Sequence, residues 1–137
     1  VTFIDTNVLL DVATDDPHWA EWSIGRLDSA AVRGPLWIDP VVYAELSVRF
    51  TGIEAVDAFL KHGRLAVVET PRAALFLAGK AFQRYRAASG VKTGVLPDFF
   101  IGAHAAVADT PLLTRDAARY RTNFPTLRLI APSSADD

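Results

Sequence analysis

The chain has 137 residues, half of them apolar, and a formal net charge of −2 at neutral pH. That length suits one domain with a sizeable core, and so small a negative charge gives no uniform attraction for nucleic acid. Cysteine is absent, which excludes disulfides and thiolate metal sites, and no apolar stretch approaches the roughly 18 residues that a membrane-spanning helix needs.

In chain order, Val1-Thr2-Phe3-Ile4 is a short apolar run that ends at Asp5. It reads as a buried strand with a carboxylate at its carboxyl end. Asn7 to Thr14 follows as a helix whose apolar side is Val8, Leu9 and Val12. Asp15-Asp16-Pro17 breaks it; Asp16 can cap a second helix, with Pro17 in its first turn, running past Trp19, Trp22, Ile24 and Leu27 to Arg33-Gly34. Leu36-Trp37-Ile38 is a strand, and Asp39-Pro40 repeats the cap-plus-proline signal before a helix carrying Val42, Leu46 and Phe50. Ile53 to Leu60 is a further helix, and Leu65 to Val68 a strand.

Pro71 opens the longest helix, from about Arg72 to Ala88, with an apolar stripe of Ala74, Leu75, Ala78, Phe82 and Tyr85. Residues 90–97, with Gly90, Gly94 and Pro97, read as a loop, and Asp98 starts a small-residue helix through Ala108. Pro111 to Thr114 is a strand that delivers Arg115-Asp116 to a short helix through Tyr120. Leu127 to Ile130 is the last strand. Short strands alternating with helices predict an α/β fold: a three-layer α/β/α domain around a mostly parallel five-stranded sheet. The domain is expected over residues 1–131, with 132–137 a short tail.

Four acids occupy informative places. Asp5 and Asp116 follow strands, Glu45 sits a turn into a helix between the apolar residues Val42 and Leu46, and Asp98 lies at a helix start. Singly, Asp5 and Asp98 are equally well read as caps. Together at one sheet edge they would repel one another, and a divalent cation would relieve that repulsion. Oxygen ligands suit Mg²⁺ or Mn²⁺, and His18, His62 and His104 are too scattered to suggest zinc. Such a pocket suits phosphodiester hydrolysis. No Gly-rich phosphate loop or Ser-His-Asp arrangement competes with it.

Charge is unevenly distributed. Residues 1–71 carry 11 acidic and 5 basic side chains, and residues 72–135 carry 9 basic and 3 acidic. One reading is an acidic centre rimmed by a basic surface that meets phosphate; the other is ordinary solvated charge. Arg115 and Arg119 flank Asp116 and are candidate RNA or phosphate contacts. For Arg115, pairing with a local carboxylate and plain solvation compete with that role.

The ordered motifs resemble the PIN-domain ribonucleases, especially the VapC-type toxins of prokaryotic toxin–antitoxin pairs. The resemblance rests on Phe3-Ile4-Asp5-Thr6-Asn7, on Glu45 within Val42 to Leu46, on Leu96-Pro97-Asp98, and on Leu112-Leu113-Thr114-Arg115-Asp116 with Tyr120. It covers nearly the whole chain. It implies a Mg²⁺- or Mn²⁺-dependent endoribonuclease, with Asp5, Glu45, Asp98 and Asp116 as the acidic pocket, Asp5 and Asp98 on the metal, and Glu45 and Asp116 on it directly or through water. Thr6 or Asn7 would orient Asp5, and Thr114 would support the site. The implied substrate is structured RNA, such as transfer or ribosomal RNA, so cleavage would inhibit translation. The implied partners are a cognate antitoxin and a second copy of the chain. Trp19, Trp22, Trp37, Phe50 and Phe59 supply apolar surface for self-association. With no signal-peptide pattern, a cytoplasmic location without membrane association is expected.

Three other readings stand beside it. An aspartate-nucleophile phosphatase would need a second acid where Asn7 stands. A non-catalytic PIN-like module binding RNA or protein would ordinarily lack one or more of the acids. A PIN nuclease without a toxin role would share every residue of the site.

Overall fold

The computed structural model describes residues 1–88 and 95–133. The strands are β1 (Thr2–Ile4), β2 (Leu36–Ile38), β3 (Leu65–Val67), β4 (Leu112–Leu113) and β5 (Leu129–Ile130). Between them run α1 (Thr6–Ala13), α2 (Ala20–Arg33), α3 (Pro40–Ser47), α4 (Ile53–His62), α5 (Arg72–Ala87), α6 (Leu96–Val107) and α7 (Ala118–Arg121). The predicted loop glycines Gly90 and Gly94 lie outside the described residues, as do the last four residues of the tail.

The sheet order is β3-β2-β1-β4-β5, and every pairing is parallel. Helices cover it as a three-layer α/β/α sandwich. β1 is central: Phe3 stands opposite both Trp37 of β2 and Leu112 of β4. The chain moves from β1 outward through β2 to β3, then returns across β1 to β4. The direction of winding therefore reverses between β1 and β4. In open α/β sheets the crevice outside the strands' carboxyl ends at such a reversal is where ligands bind. Asp5 and Thr114 are the residues that follow those two strands.

Local chemistry explains the element starts nearest this edge. The Asp5 carboxylate accepts from the Thr6 N–H and caps α1. Asp39 accepts from the Val41 N–H at 2.7 Å, and Pro40, with no N–H to satisfy, takes the first turn of α3. α6 departs from expectation. It begins at Leu96, and Asp98 lies inside its first turn without capping it. Pro97 fits that turn for the same reason as Pro40. The break before α2 takes Asp15 into the left-handed region (φ 49°), and Asp16 accepts from the N–H groups of His18 and Trp19.

The core is continuous through both layers of helices. Phe3, Ile4, Val8, Leu9, Ile38, Val42, Leu46, Leu112, Leu113 and Tyr120 are all buried within it. The stripe expected on α5 holds at Ala74, Ala78, Phe82 and Tyr85, which face the core together with Ala81, while Leu75 faces solvent. α6 packs closely on the end of the chain because Gly102 has no side chain: a Cβ there would meet the Phe124 ring at 2.6 Å. Phe99 is also buried, in ring contact with Phe82, Tyr85 and Phe124.

Candidate active site

The site is built around Asp5. It is buried at the end of the central strand, and both carboxylate oxygens are engaged. Oδ1 accepts from the Thr6 N–H at 2.7 Å. Oδ2 accepts from the Thr114 hydroxyl at 2.7 Å, the Tyr120 hydroxyl at 2.8 Å and the Asn7 amide at 3.3 Å. Burial pushes the Asp5 pKa up, and the bonds from Thr114, Tyr120 and Thr6 pull against that shift without cancelling it.

Thr114, on the neighbouring strand, is fully buried. It donates to Asp5 and accepts at 3.0 Å from the Asp116 N–H, which fixes the turn that carries Asp116. Asn7 closes the same link from the other side: its side-chain oxygen accepts from the Arg115 N–H at 3.1 Å. Thr6 donates its hydroxyl to Glu45 Oε1 at 2.6 Å and so ties α3 to the start of α1. Thr6 and Asn7 thus do different work: the Thr6 side chain orients Glu45, while Asn7 braces the Asp5–Thr114 pair.

Asp98 enters from α6. Its carboxyl is raised from 3.8 to about 6, first by burial and then by the fields of Asp5, Glu45 and Asp116, while Arg119 opposes the rise. Asp98 thus lies within electrostatic reach of the other three acids. Arg119 sits among them. Its Nε donates to Asp116 Oδ2 at 2.7 Å, and its Nη1 is 3.7 Å from Asp98 Oδ2. A depression of about 250 Å³ beside them is lined by Tyr85, Val95, Asp98, Phe99 and Arg119, together with Ala118, Thr122 and Asn123.

The donor set is all carboxylate oxygen, which matches a hard divalent cation and not zinc. Mutual repulsion, visible in the raised Asp98, is what such an ion would relieve. As the side chains stand, no three acids or imidazoles among the described residues are close enough to share one ion. The donor chemistry suits Mg²⁺ or Mn²⁺, and ligation would require the side chains to move closer together.

Arg115 points elsewhere. Its Nε is 2.7 Å from Oδ2 of the buried Asp11, which also accepts from Ser23 at 2.7 Å, and its guanidinium lies over the Trp19 ring. Local pairing, one of the three roles open to it, is the one the geometry carries. His104 does not approach the acids by itself. It is buried against Asp39, Nδ1 to Oδ2 at 2.7 Å, and Asp39 also accepts from Thr70. This pair joins the start of α3, which carries Glu45, to the last turn of α6, the helix that carries Asp98. Sequence reasoning missed it, as it missed the Tyr120 hydroxyl on Asp5. For Tyr120 a signal existed, since it closes the Thr-Arg-Asp motif one helical turn beyond Asp116.

The PIN domain family matches residues 2–125. The chain belongs to that family. Solved structures share the fold at low identity. The Rickettsia felis VapBC2 complex, bound to a DNA fragment from its promoter, aligns with a TM-score of 0.72 and 18% identity over 95% of this chain and 97% of that one. VapBC-1 from nontypeable Haemophilus influenzae aligns at 0.69 and 16% identity, over 95% and 96% of the two chains. FitAcB from Neisseria gonorrhoeae aligns at 0.67 and 15% identity, with the same coverage of 95% and 96%. No curated protein matches the chain. Among the described residues no helix is long and apolar enough to cross a membrane.

Proposed function

We propose that the protein is a Mg²⁺- or Mn²⁺-dependent endoribonuclease, and the toxin of a toxin–antitoxin pair. What supports the reading is that Asp98 feels the charges of Asp5, Glu45 and Asp116, with Asp5 at the point where the sheet reverses its winding, in a chain of the PIN family. Family membership supports nuclease activity. The toxin role rests on the likeness to the VapBC and FitAcB structures over nearly the full length of each chain.

A bound divalent cation would supply charge for the phosphate and lower the pKa of the attacking water. Asp5 and Asp98 are the residues assigned to hold it, with Glu45 and Asp116 acting directly or through water. Thr114, Tyr120 and Asn7 keep Asp5 in one orientation, so little rearrangement is needed when substrate arrives. Arg119 is the cation best placed to meet a phosphate, and Arg115 stays with Asp11. Attack by water on the phosphodiester leaves a 5′-phosphate and a 3′-hydroxyl. The substrate is structured RNA, transfer or ribosomal, and the partners are a cognate antitoxin and a second copy of the chain.

A non-catalytic PIN module is favoured by one observation: no three of the acids are gathered around a point as they stand. One experiment separates the two. The purified protein is given total RNA with Mg²⁺ or Mn²⁺, beside EDTA and an Asp5→Asn control, and the new ends are mapped. The nuclease reading expects discrete cuts with 5′-phosphate ends, lost in EDTA and reduced at least about a hundredfold by Asp5→Asn. Cleavage that survives EDTA, or ends carrying a 2′,3′-cyclic phosphate, would reject the mechanism. No cleavage under any condition favours the binding module.

A further inference from the structure

Arg119 is placed unlike the other cations of the chain. It stands on the four-residue α7, directly after the acid turn, and reaches back over it. It meets Asp116 at 2.7 Å and approaches Asp98 at 3.7 Å. Burial works against its charge, and Asp98, Asp116 and Asp5 together more than compensate, so the guanidinium stays charged. Yet 52% of its side chain is exposed, and its ion pairs among the described residues are with those two carboxylates.

A guanidinium is a poor permanent occupant of a four-acid pocket. It brings one positive charge where repulsion calls for more, and its planar fork reaches two acids rather than all four. A divalent ion brings twice the charge at a point. The two cannot both own Asp98 and Asp116. Released from them, a long arginine that is half exposed and lines the depression beside Asp98 is free to turn outward.

We infer that Arg119 is an exchangeable occupant of the acidic pocket: it pairs with Asp116 and Asp98 while no divalent cation is bound, and gives them up to the cation and turns to RNA phosphate when one binds. This rests on the reading of the acids as a divalent-cation site. It makes Arg119 a positioning residue with two alternative partners. The sign of its effect on cation binding separates it from a simple brace. A brace that orients carboxylates helps the ion, so its loss weakens binding. An occupant competes with the ion, so its loss tightens binding.

The test is calorimetric titration of Mn²⁺, without RNA, into the wild type, Arg119→Gln and Arg119→Lys. Exposed ion pairs are individually weak, so Arg119→Gln should bind Mn²⁺ about three- to tenfold more tightly. Arg119→Lys, which keeps the charge and loses the fork, should fall between. A second readout needs no altered protein. In ¹⁵N-labelled wild type, the Arg119 Nε–H resonance, assigned by its disappearance in Arg119→Lys, should move toward the free-arginine position as Mg²⁺ is added. Equal or weaker Mn²⁺ binding in Arg119→Gln, or a resonance that stays fixed while Mg²⁺ binds, overturns the exchange and leaves the nuclease reading standing. Absence of Mn²⁺ binding in all three proteins overturns both.

Discussion

At the scale of single residues, Asp98 shows stability and function pulling apart. Its carboxyl is raised from 3.8 to about 6, chiefly by burial and then by the neighbouring acids. The folded protein therefore holds this proton more tightly than the unfolded chain does. Its contribution to stability is fully present below about pH 4 and is lost as pH rises through about 6. In metal-free protein, Asp98→Asn should raise stability near neutral pH by about 1 kcal/mol, allowing for partial solvent screening, and flatten the pH dependence between roughly 4 and 6. Thermal unfolding in EDTA across that range checks it. A variant less stable than wild type near neutrality would mean that the Arg119 contact outweighs burial and repulsion. Tyr120 makes the complementary case. Tyr120→Phe removes one donor from Asp5 Oδ2, leaves the ring in the core, and should cost about 1–2 kcal/mol in denaturant unfolding while weakening Mn²⁺ binding. If both measurements are unchanged, Thr114 and Asn7 suffice to hold Asp5.

At the scale of elements, what the sequence made legible follows from how local each signal is. Asp39-Pro40 announced α3 because capping and a missing N–H act within four residues. β1, β2 and β3 were readable as apolar runs bounded by turns, and their parallel pairing followed from the helices between them. Asp98 was misread as a helix start because a proline and an acid in a first turn look alike from either side of the cap; the helix begins two residues earlier. Pairings across the fold left no such trace. Tyr120 meets Asp5, His104 meets Asp39 and Arg115 meets Asp11 only because the sheet brings distant segments to one edge. The four acids, the Thr114 hydroxyl and the Asn7 amide could be named in advance, but the Tyr120 hydroxyl on Asp5 and the pairing of Thr6 with Glu45 could not. α6 shows why that support matters, since it carries Asp98 and is held close to Phe124 by the bare Gly102. Gly102→Ala should force the helix or the ring to shift, cost about 1–3 kcal/mol, and loosen Mn²⁺ binding through displacement of Asp98. Unfolding and titration of that one variant test both effects. Unchanged stability would show that the Phe124 ring moves aside freely.

At the scale of the whole molecule, the charge asymmetry along the sequence becomes a spatial statement. Asp5 and Glu45 come from the acidic half, Asp98 and Asp116 from the basic half, so the candidate site lies where the two halves meet. Arg84 and Arg86 end α5, on either side of Tyr85, which lines the same depression as Asp98 and Arg119. They are a candidate basic pair on a neighbouring element. A net charge of −2 cannot draw RNA from a distance; binding must come from local cations that displace counterions from the phosphates. For Arg84→Ala with Arg86→Ala in the Asp5→Asn background, RNA affinity should fall by a similar factor for every sequence tried. The slope of log affinity against log salt should become shallower by about 1 to 1.5, near 0.7 for each phosphate that is no longer neutralised. The positions of the cuts, mapped in a protein that keeps Asp5, should not move, because phosphate contacts place a substrate without reading its bases. Binding measured over a salt series decides the matter. An unchanged slope would remove α5 from the RNA path and leave Arg119 as the principal phosphate contact; a changed cleavage pattern would mean that the end of α5 reads bases as well as backbone.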